Sequence, residues 1–407
     1  MKVAVIGAGI SGLLSAYHLL PECAVTIYEK EARCGGLGGI FRHDGATIER
    51  YNHFFSKSDT ELIRVIAALG LSGSLYWAKV KEAYVDGNRS SASKMALLRL
   101  AWFMLRNYRR KHSGALLEKD AAQWLKNECG LDCYERFFRP LLEFKFGAAE
   151  NVSAAYIWAR LKEKKNTRIG SLRGGLNMLW QRLEEVISCR GGKFMFDTDV
   201  EQIAPAGADK WQLKTKTGTI TYDCVVCCLP VKQTKLLCPD FTRVIGHACA
   251  PEYLCVRSLL LSLKQPLKKG YWLFMVRHPQ KGMKVVIDTS AINGMPVVYF
   301  PVYQRVLENK TPEIFLAECI EYLKLIAPGF KPDWVNEYFV FSDCDVEPVL
   351  TPEFLLARKD VAEFPAGLFI PELLAEGRLL KTFNTAAVKS RIIAGYIRSK
   401  YVRDNTG

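Results

Sequence analysis

The chain has 407 residues, 49% of them apolar and 24% charged, which suits a globular protein with two or three domains' worth of core and excludes a disordered chain. No stretch approaches the roughly 18 uninterrupted apolar residues of a membrane span, and the thirteen cysteines show no paired C-x-x-C spacing for zinc, so no metal site is expected. The formal charge of +14 points to anionic substrates, an anionic membrane surface or nucleic acid. No nucleic-acid module is visible and the aromatics are not interleaved with the basic residues, so nucleic acid is set aside.

The first thirty residues organise the rest. Lys2–Ile6 is an apolar run suited to a buried parallel strand, and residues 11–20 carry helical apolar periodicity. Between them Gly7, Gly9 and Gly12, with Ala8, Ile10 and Ser11 in the gaps, give the spacing G-x-G-x-x-G. A second run, Ala24–Tyr28, ends at Glu29 and Lys30. Strand, turn, helix, strand and acid therefore follow in the order of a dinucleotide-binding unit. Gly7 allows the tight turn, Gly9 lets a pyrophosphate approach the backbone, and Gly12 lets helix and strand pack closely. The helix N-terminus offers unpaired N–H groups to phosphate, and Glu29 is placed to accept from ribose hydroxyls. The stretch imitates a secretory signal, but its three glycines and lack of a clean cleavage site argue against one. Cys224, Cys227 and Cys228 fall in an apolar run and read as small buried hydrophobes, so a reducing, cytoplasmic compartment is expected.

Residues 32–55 hold four glycines within five positions (Gly35, Gly36, Gly38, Gly39) and a hairpin turn at His43-Asp44-Gly45. The glycine cluster reads either as a flexible loop or as a second backbone cradle, with Arg33 and Arg42 neutralising phosphate. At this point FAD and NAD remain undecided. Gly7-x-Gly9-x-x-Gly12, Glu29 and Arg33-x-Gly35-Gly36 together resemble the FAD-binding opening of the flavin amine oxidase superfamily, which includes protoporphyrinogen oxidases, phytoene desaturases and UDP-galactopyranose mutases. The resemblance implies FAD, with Glu29 and Lys30 at the adenosine ribose and Arg33, Gly35 and Gly36 along the pyrophosphate. It also implies an α/β fold: a Rossmann-type domain, glutathione reductase-like, with a discontinuous mixed-sheet substrate domain and a helical insertion.

Residues 56–75 read as a helix capped by Ser58 or Asp59 and closed by Gly70. Residues 79–93 read as a hairpin turning at Asp86-Gly87. Residues 94–112 form a basic helix with Leu97, Leu98, Ala101, Trp102 and Leu105 on one face. The simpler expectation buries that face in the core; the alternative lays it on an anionic membrane, a peripheral contact that related flavoenzymes make through their helical insertion. Residues 120–147 continue as helices anchored by Trp124, Phe137 and Phe138. This segment, with residues 153–162, resembles a bacterial subgroup described only as NAD(P)/FAD-dependent oxidoreductases. Lys145 and Arg139 read either as facing the cofactor or substrate or, more simply, as lying on solvated helix faces.

Arg173-Gly174-Gly175 opens a helix closed by Gly191-Gly192, and residues 193–203 read as one strand. The superfamily shows the same succession where its chain returns to the FAD domain, which implies the Val200 backbone beside the adenine. Residues 211–217 and 219–229 read as a strand pair around Gly218. Residues 250–345 are strand-rich, and Tyr271, Trp272, Tyr299 and Tyr303 are candidates either for a substrate-cavity wall or, more simply, for sheet core. Residues 312–327 read as a helix and 336–341 as a strand. Residues 367–370 form a last strand before a helix capped by Asn384 or Thr385. In the superfamily this slot completes the FAD site with a Gly-Asp pair, which implies Asn384 at the cofactor; here Pro371-Glu372 stands in place of the pair.

The resulting division is 1–75, 170–235 and 346–407 for the FAD-binding domain, 76–169 for the hairpin and helical insertion, and 236–345 for the substrate-binding sheet. The resemblance implies a flavin-dependent oxidoreductase that oxidises an apolar or amine-bearing small molecule. A mutase-like, non-redox use of the flavin is the alternative, suggested by the +14 charge with Arg305 and Arg378. A flavin-binding protein without turnover is a third, suggested by the altered slot. Flavin chemistry needs no catalytic triad, so no catalytic residue is assigned from spacing; His53 reads either as touching flavin or substrate or as an ordinary loop histidine with its own partners. The last cysteine, Cys344, lies well before the C-terminal helix, so FAD is expected to be non-covalent.

Overall fold

A computed structural model describes residues 1–402, except 44, 87–93, 110–113, 148–150, 164–167, 208, 246–250, 269, 291–295, 377–378 and 381. At its centre β1 (Lys2–Ile6) pairs in parallel with β2 (Ala24–Tyr28) on one side and β12 (Cys224–Cys227) on the other. β8 (Lys193–Met195) and β18 (Leu368–Phe369) extend the sheet to the order β18-β12-β1-β2-β8. The valines and cysteines of β1 and β12 are fully buried, as a parallel sheet covered on both faces requires. Helix α1 (Ile10–Leu19) links β1 to β2 and packs on the C-terminal helix Phe383–Ile397, where the Ser390 hydroxyl donates to the Ser11 carbonyl at 3.0 Å.

Three more strands, β9 (Val200–Pro205), β10 (Trp211–Thr215) and β11 (Gly218–Tyr222), form an antiparallel meander beside this sheet, and β3 (Ile40–His43) pairs with β4 (Ala46–Glu49) as a hairpin. The second large layer is an eight-stranded mixed sheet. Its strands are β5 (Phe55–Ser56), β6 (Leu75–Asp86), β7 (Arg168–Leu172), β13 (Tyr253–Leu263), β14 (Tyr271–His278), β15 (Gly282–Asp288), β16 (Val297–Gln304) and β17 (Val335–Pro348). They run in the order β17-β13-β16-β15-β14-β6-β7-β5. One face is covered by the helix Pro312–Ile326, and Leu259, Phe274, Phe300 and Tyr322 are buried there. A helical insertion, α3 (Lys94–Arg109), α4 (Ala121–Cys129), α5 (Leu131–Cys133), α6 (Arg139–Phe146) and α7 (Ala154–Glu163), leaves from β6 and returns at β7. It follows α2 (Thr60–Ala68) and precedes α8 (Asn177–Cys189) and α9 (Val231–Leu237).

Several expectations are corrected here. Residues 193–203 form two strands, because the chain turns at Asp197, which has φ +50°, and passes from the parallel sheet to the meander. Residues 219–229 are likewise split between β11 and β12. β6 pairs with β7 along residues 75–79 and with β14 along 80–86; the return arm of the expected hairpin, Gly87 to Ser93, lies outside the described residues. β17 runs well beyond the expected 336–341 because β13 pairs with it from Tyr253 to Leu263. That pairing also joins Cys255 to Cys344 in a disulfide, which the reducing compartment expected from the sequence does not favour. Cys224 and Cys227 are buried as expected, and burial pushes their thiols up to about 12 and about 11.

Candidate cofactor site

Gly7 takes φ +93° and donates its N–H to the Tyr28 carbonyl at 2.8 Å, which turns the chain from β1 onto α1. Gly9 is the N-cap and supplies no side chain, so the amides of Ile10, Ser11 and Gly12 are left to an outside acceptor by helix geometry. A Cβ on Gly12 would stand 1.8 Å from the Gly7 carbonyl oxygen; only glycine lets α1 sit this close to β1. The second glycine stretch lies directly against the first: Gly35 donates to the Ala8 carbonyl at 3.0 Å, and a Cβ on Gly36 would come within 3.2 Å of the Gly9 Cα. Residues 35–39 are thus a backbone platform packed beside the α1 N-terminus rather than a loose loop.

Glu29 is buried at the end of β2. Its carboxylate accepts from the Ala8 N–H at 2.6 Å and the Glu31 N–H at 3.0 Å, which fixes it against the glycine turn with lone pairs to spare. Thr198 donates its N–H to the Glu29 carbonyl at 2.9 Å, which brings the start of β9, with Val200 buried, to the same edge. Lys30 and Arg33 are exposed there. Asn384 is placed differently: it is buried, and its side-chain oxygen accepts from the Glu61 and Leu62 amides at 3.0 Å each, capping α2 from the far end of the chain. The C-terminal helix itself is capped by Thr382, whose hydroxyl accepts from Thr385 N–H at 3.1 Å, and not by Asn384 or Thr385.

A family model for flavin containing amine oxidoreductases matches residues 10–341. The chain belongs to that family. Among solved structures, a candidate protoporphyrinogen oxidase from Exiguobacterium sp. 255-15 is similar at 18% identity, with 98% of this chain and 99% of that one covered and a TM-score of 0.73. Putrescine oxidase bound to putrescine is similar at 15% identity, covering 98% and 100%, with a TM-score of 0.74. Cyclohexylamine oxidase from Brevibacterium oxydans is similar at 15% identity, covering 100% and 99%, with a TM-score of 0.73. No curated protein sequence matches the chain. The protein is a flavin-dependent oxidoreductase with the α/β architecture of these neighbours, and FAD is its cofactor. The residues fit that group: an uncapped helix start for the diphosphate, a fixed carboxylate at the β2 end and glycines where a Cβ would collide.

In this flavin amine oxidoreductase the altered C-terminal slot is occupied. The Glu372 carboxylate accepts from the Val231 N–H at 2.8 Å, at the start of α9, and from the Tyr253 hydroxyl. Glu372 lines a cleft with Ser11, Leu229, Thr382, Arg358 and Lys389. Lys389 is buried with its ammonium on the Pro371 carbonyl at 2.9 Å, and burial pulls Arg358 down to about 10. The first turn of α1, the buried Lys389 and the half-buried Arg358 therefore share one cleft. On the other side of the glycine platform the Trp180 indole donates to the Gly38 carbonyl at 2.8 Å and Arg50 to the Gly36 carbonyl at 2.9 Å. The His53 ring stacks on Phe383 at 4.9 Å. Sequence reasoning missed Trp180, Arg50 and Lys389. Lys389 carried a signal, since it shares its helix face with Ala386 and Ile393, where a lone lysine needs an internal partner.

The aromatic candidates divide. Tyr271 and Tyr299 are buried core: Asn52 donates to the Tyr271 hydroxyl at 3.1 Å, and the Tyr299 hydroxyl donates to the Glu49 carbonyl at 3.0 Å. Tyr303 faces α6, with the Lys145 ammonium 3.3 Å from its ring centroid. Lys145 is not on a solvated face; it is paired with Glu347 at 2.5 Å. Burial pulls its pKa down, but Glu347 with Tyr303 and Tyr156 more than reverses this and holds the ammonium charged. Arg139 is exposed and paired with Glu135 and Glu143 as a solvated helix face allows.

Proposed function

We propose that the protein oxidises an apolar or amine-bearing small molecule by hydride transfer to non-covalently held FAD. The observation that carries the substrate class is the contact between the glycine platform and the mixed sheet: Leu37 and Tyr51 pack with Val256, Tyr303 and Phe341. An apolar wall against the cofactor-proximal loop favours an apolar substrate and excludes water. FAD, when bound, would supply the hydride acceptor; the chain's own part is to orient both partners. Gly7, Ala8, Gly9, Ile10, Ser11 and Gly12 hold the diphosphate, with Gly35, Gly36 and Arg33 beside them. Glu29, Lys30 and Val200 take the adenosine end, while Asn384 acts through the start of α2. Segments 1–75, 170–235 and 346–407 are taken as one FAD-binding domain around the insertion and the substrate sheet.

The mutase alternative rested on the +14 charge with Arg305 and Arg378. Arg305 pairs with Glu252 and donates to the Phe146 carbonyl at 3.2 Å, and Arg378 lies outside the described residues, so neither arginine supports that reading. No helix among the described residues is long and apolar enough to cross a membrane. A cytoplasmic location remains part of the proposal, with the Cys255–Cys344 bond the feature that opposes it. The test is anaerobic mixing of the flavin-loaded protein with a panel of amines and apolar reductants. Bleaching of the flavin band by one of them is expected; turnover only with pre-reduced flavin, with no net oxidation, would overturn the reading in favour of a mutase.

A further inference from the structure

We propose that the outward face of α3 is a docking surface for an anionic lipid bilayer. Ala96, Phe103 and Asn107 turn inward and are buried, and Phe103 packs edge-on against Trp124 at 5.4 Å and Phe138 at 5.3 Å. Opposite them lie Met95, Leu98, Ala101, Trp102 and Leu105, of which Leu98 is 65% and Trp102 55% exposed. At 3.6 residues per turn these fall in one stripe along the helix. A domain helix turns its apolar stripe to the core. This helix has a buried stripe and a second one left in water. Single exposed apolar residues are ordinary, but a continuous row along one helix marks a contact surface.

Charge identifies the occupant. From residue 87 to 117 the sequence holds Arg89, Lys94, Arg99, Arg106, Arg109, Arg110 and Lys111 and not one Asp or Glu. Arg99 and Arg106 are exposed on α3, and Arg106 lies 5.1 Å from the Trp102 ring centroid while pairing with Glu128 at 3.0 Å. An apolar stripe with a central tryptophan and flanking arginines is the make-up of a helix that lies in a bilayer interface, its apolar side among the acyl chains and its cations on lipid phosphates. A second copy of the chain fits less well, because a two-fold contact would press the same acid-free basic stretch against itself. The proposal does not depend on the substrate.

The experiment is co-sedimentation of the full flavin-loaded chain with vesicles of phosphatidylcholine alone, or of equal parts phosphatidylcholine and phosphatidylglycerol. Pelleting with the anionic vesicles is expected, roughly ten-fold weaker with the neutral ones and weakened by salt. Leu98→Glu with Trp102→Glu should abolish it. A separate Arg109→Glu, Arg110→Glu, Lys111→Glu variant should weaken it, and both variants should keep their flavin. No pelleting with anionic vesicles, or pelleting that neither variant changes, would overturn the proposal. So would a dimer in sedimentation velocity that Leu98→Glu with Trp102→Glu dissociates while vesicles are ignored.

Discussion

Helices α1 and α3 carry the same pattern, apolar side chains on more than one side, and meet opposite fates. α1 lies between the parallel sheet and the C-terminal helix, so Leu13, Leu14, Ala16 and Leu19 are all fully buried. Among the described residues α3 has neighbours on one side only, and Leu98, Trp102 and Leu105 remain exposed. The cations divide in the same way. Around α1, Lys389 is drawn inside and held on a backbone carbonyl; along α3, Arg99 and Arg106 face solvent. A helix's pattern fixes which side chains can be buried; the number of layers around it decides which are.

The largest effect should come from breaking the tightest contact on the covered side. Gly12→Ala sets a Cβ 1.8 Å from the Gly7 carbonyl oxygen, and neither backbone can yield without parting α1 from β1. A loss of about 3 kcal/mol or more is expected, read as a fall in Tm together with lost flavin. His18, also on α1, comes next. Burial holds its imidazole at about 4 against an ordinary 6.5, and its Nε2 is buried without a hydrogen-bond partner. Between those pH values the unfolded chain binds more protons than the native one. Stability is therefore fully present above pH 6.5 and drains away as the pH falls towards 4, by up to on the order of 3 kcal/mol. Denaturant melts across that range should show the slope, and His18→Phe should flatten it. The smallest effect belongs to the uncovered side: Leu98→Ala should change stability by no more than about 0.5 kcal/mol in denaturant melts, since its side chain is already in water. A loss as large as that of a core leucine would mean that α3 is covered in solution.

What could be read in the sequence was local. The β1–α1–β2 unit, its three glycines and Glu29 sit within thirty residues, and each owes its role to neighbours in the chain. The strand-rich stretch from 250 to 345 declared itself through alternation and aromatics. What stayed hidden depended on distant partners. The simpler expectation for α3 buried the face that the structure leaves exposed, because periodicity marks a stripe but not whether anything covers it. Lys145 looked like a surface residue until β17 brought Glu347 to it, 202 positions along the chain. Asn384 resembled a cap for its own helix, yet its acceptor serves α2, 322 and 323 positions back. Pro371-Glu372 departed from the expected pair, and only the contact with Val231 and Tyr253 shows what the glutamate does instead.

The central claim is that FAD lies across the two glycine stretches with Glu29 at its adenosine end. The most direct measurement is an FAD titration of the purified protein, followed by flavin absorbance, with Glu29→Ala beside it. The wild-type protein should bind FAD stoichiometrically, and the variant should bind it about 5- to 150-fold more weakly, as expected for roughly 1–3 kcal/mol of lost charge-assisted hydrogen bonding. A wild-type protein that stays colourless after reconstitution, or a variant of unchanged affinity, would contradict the account.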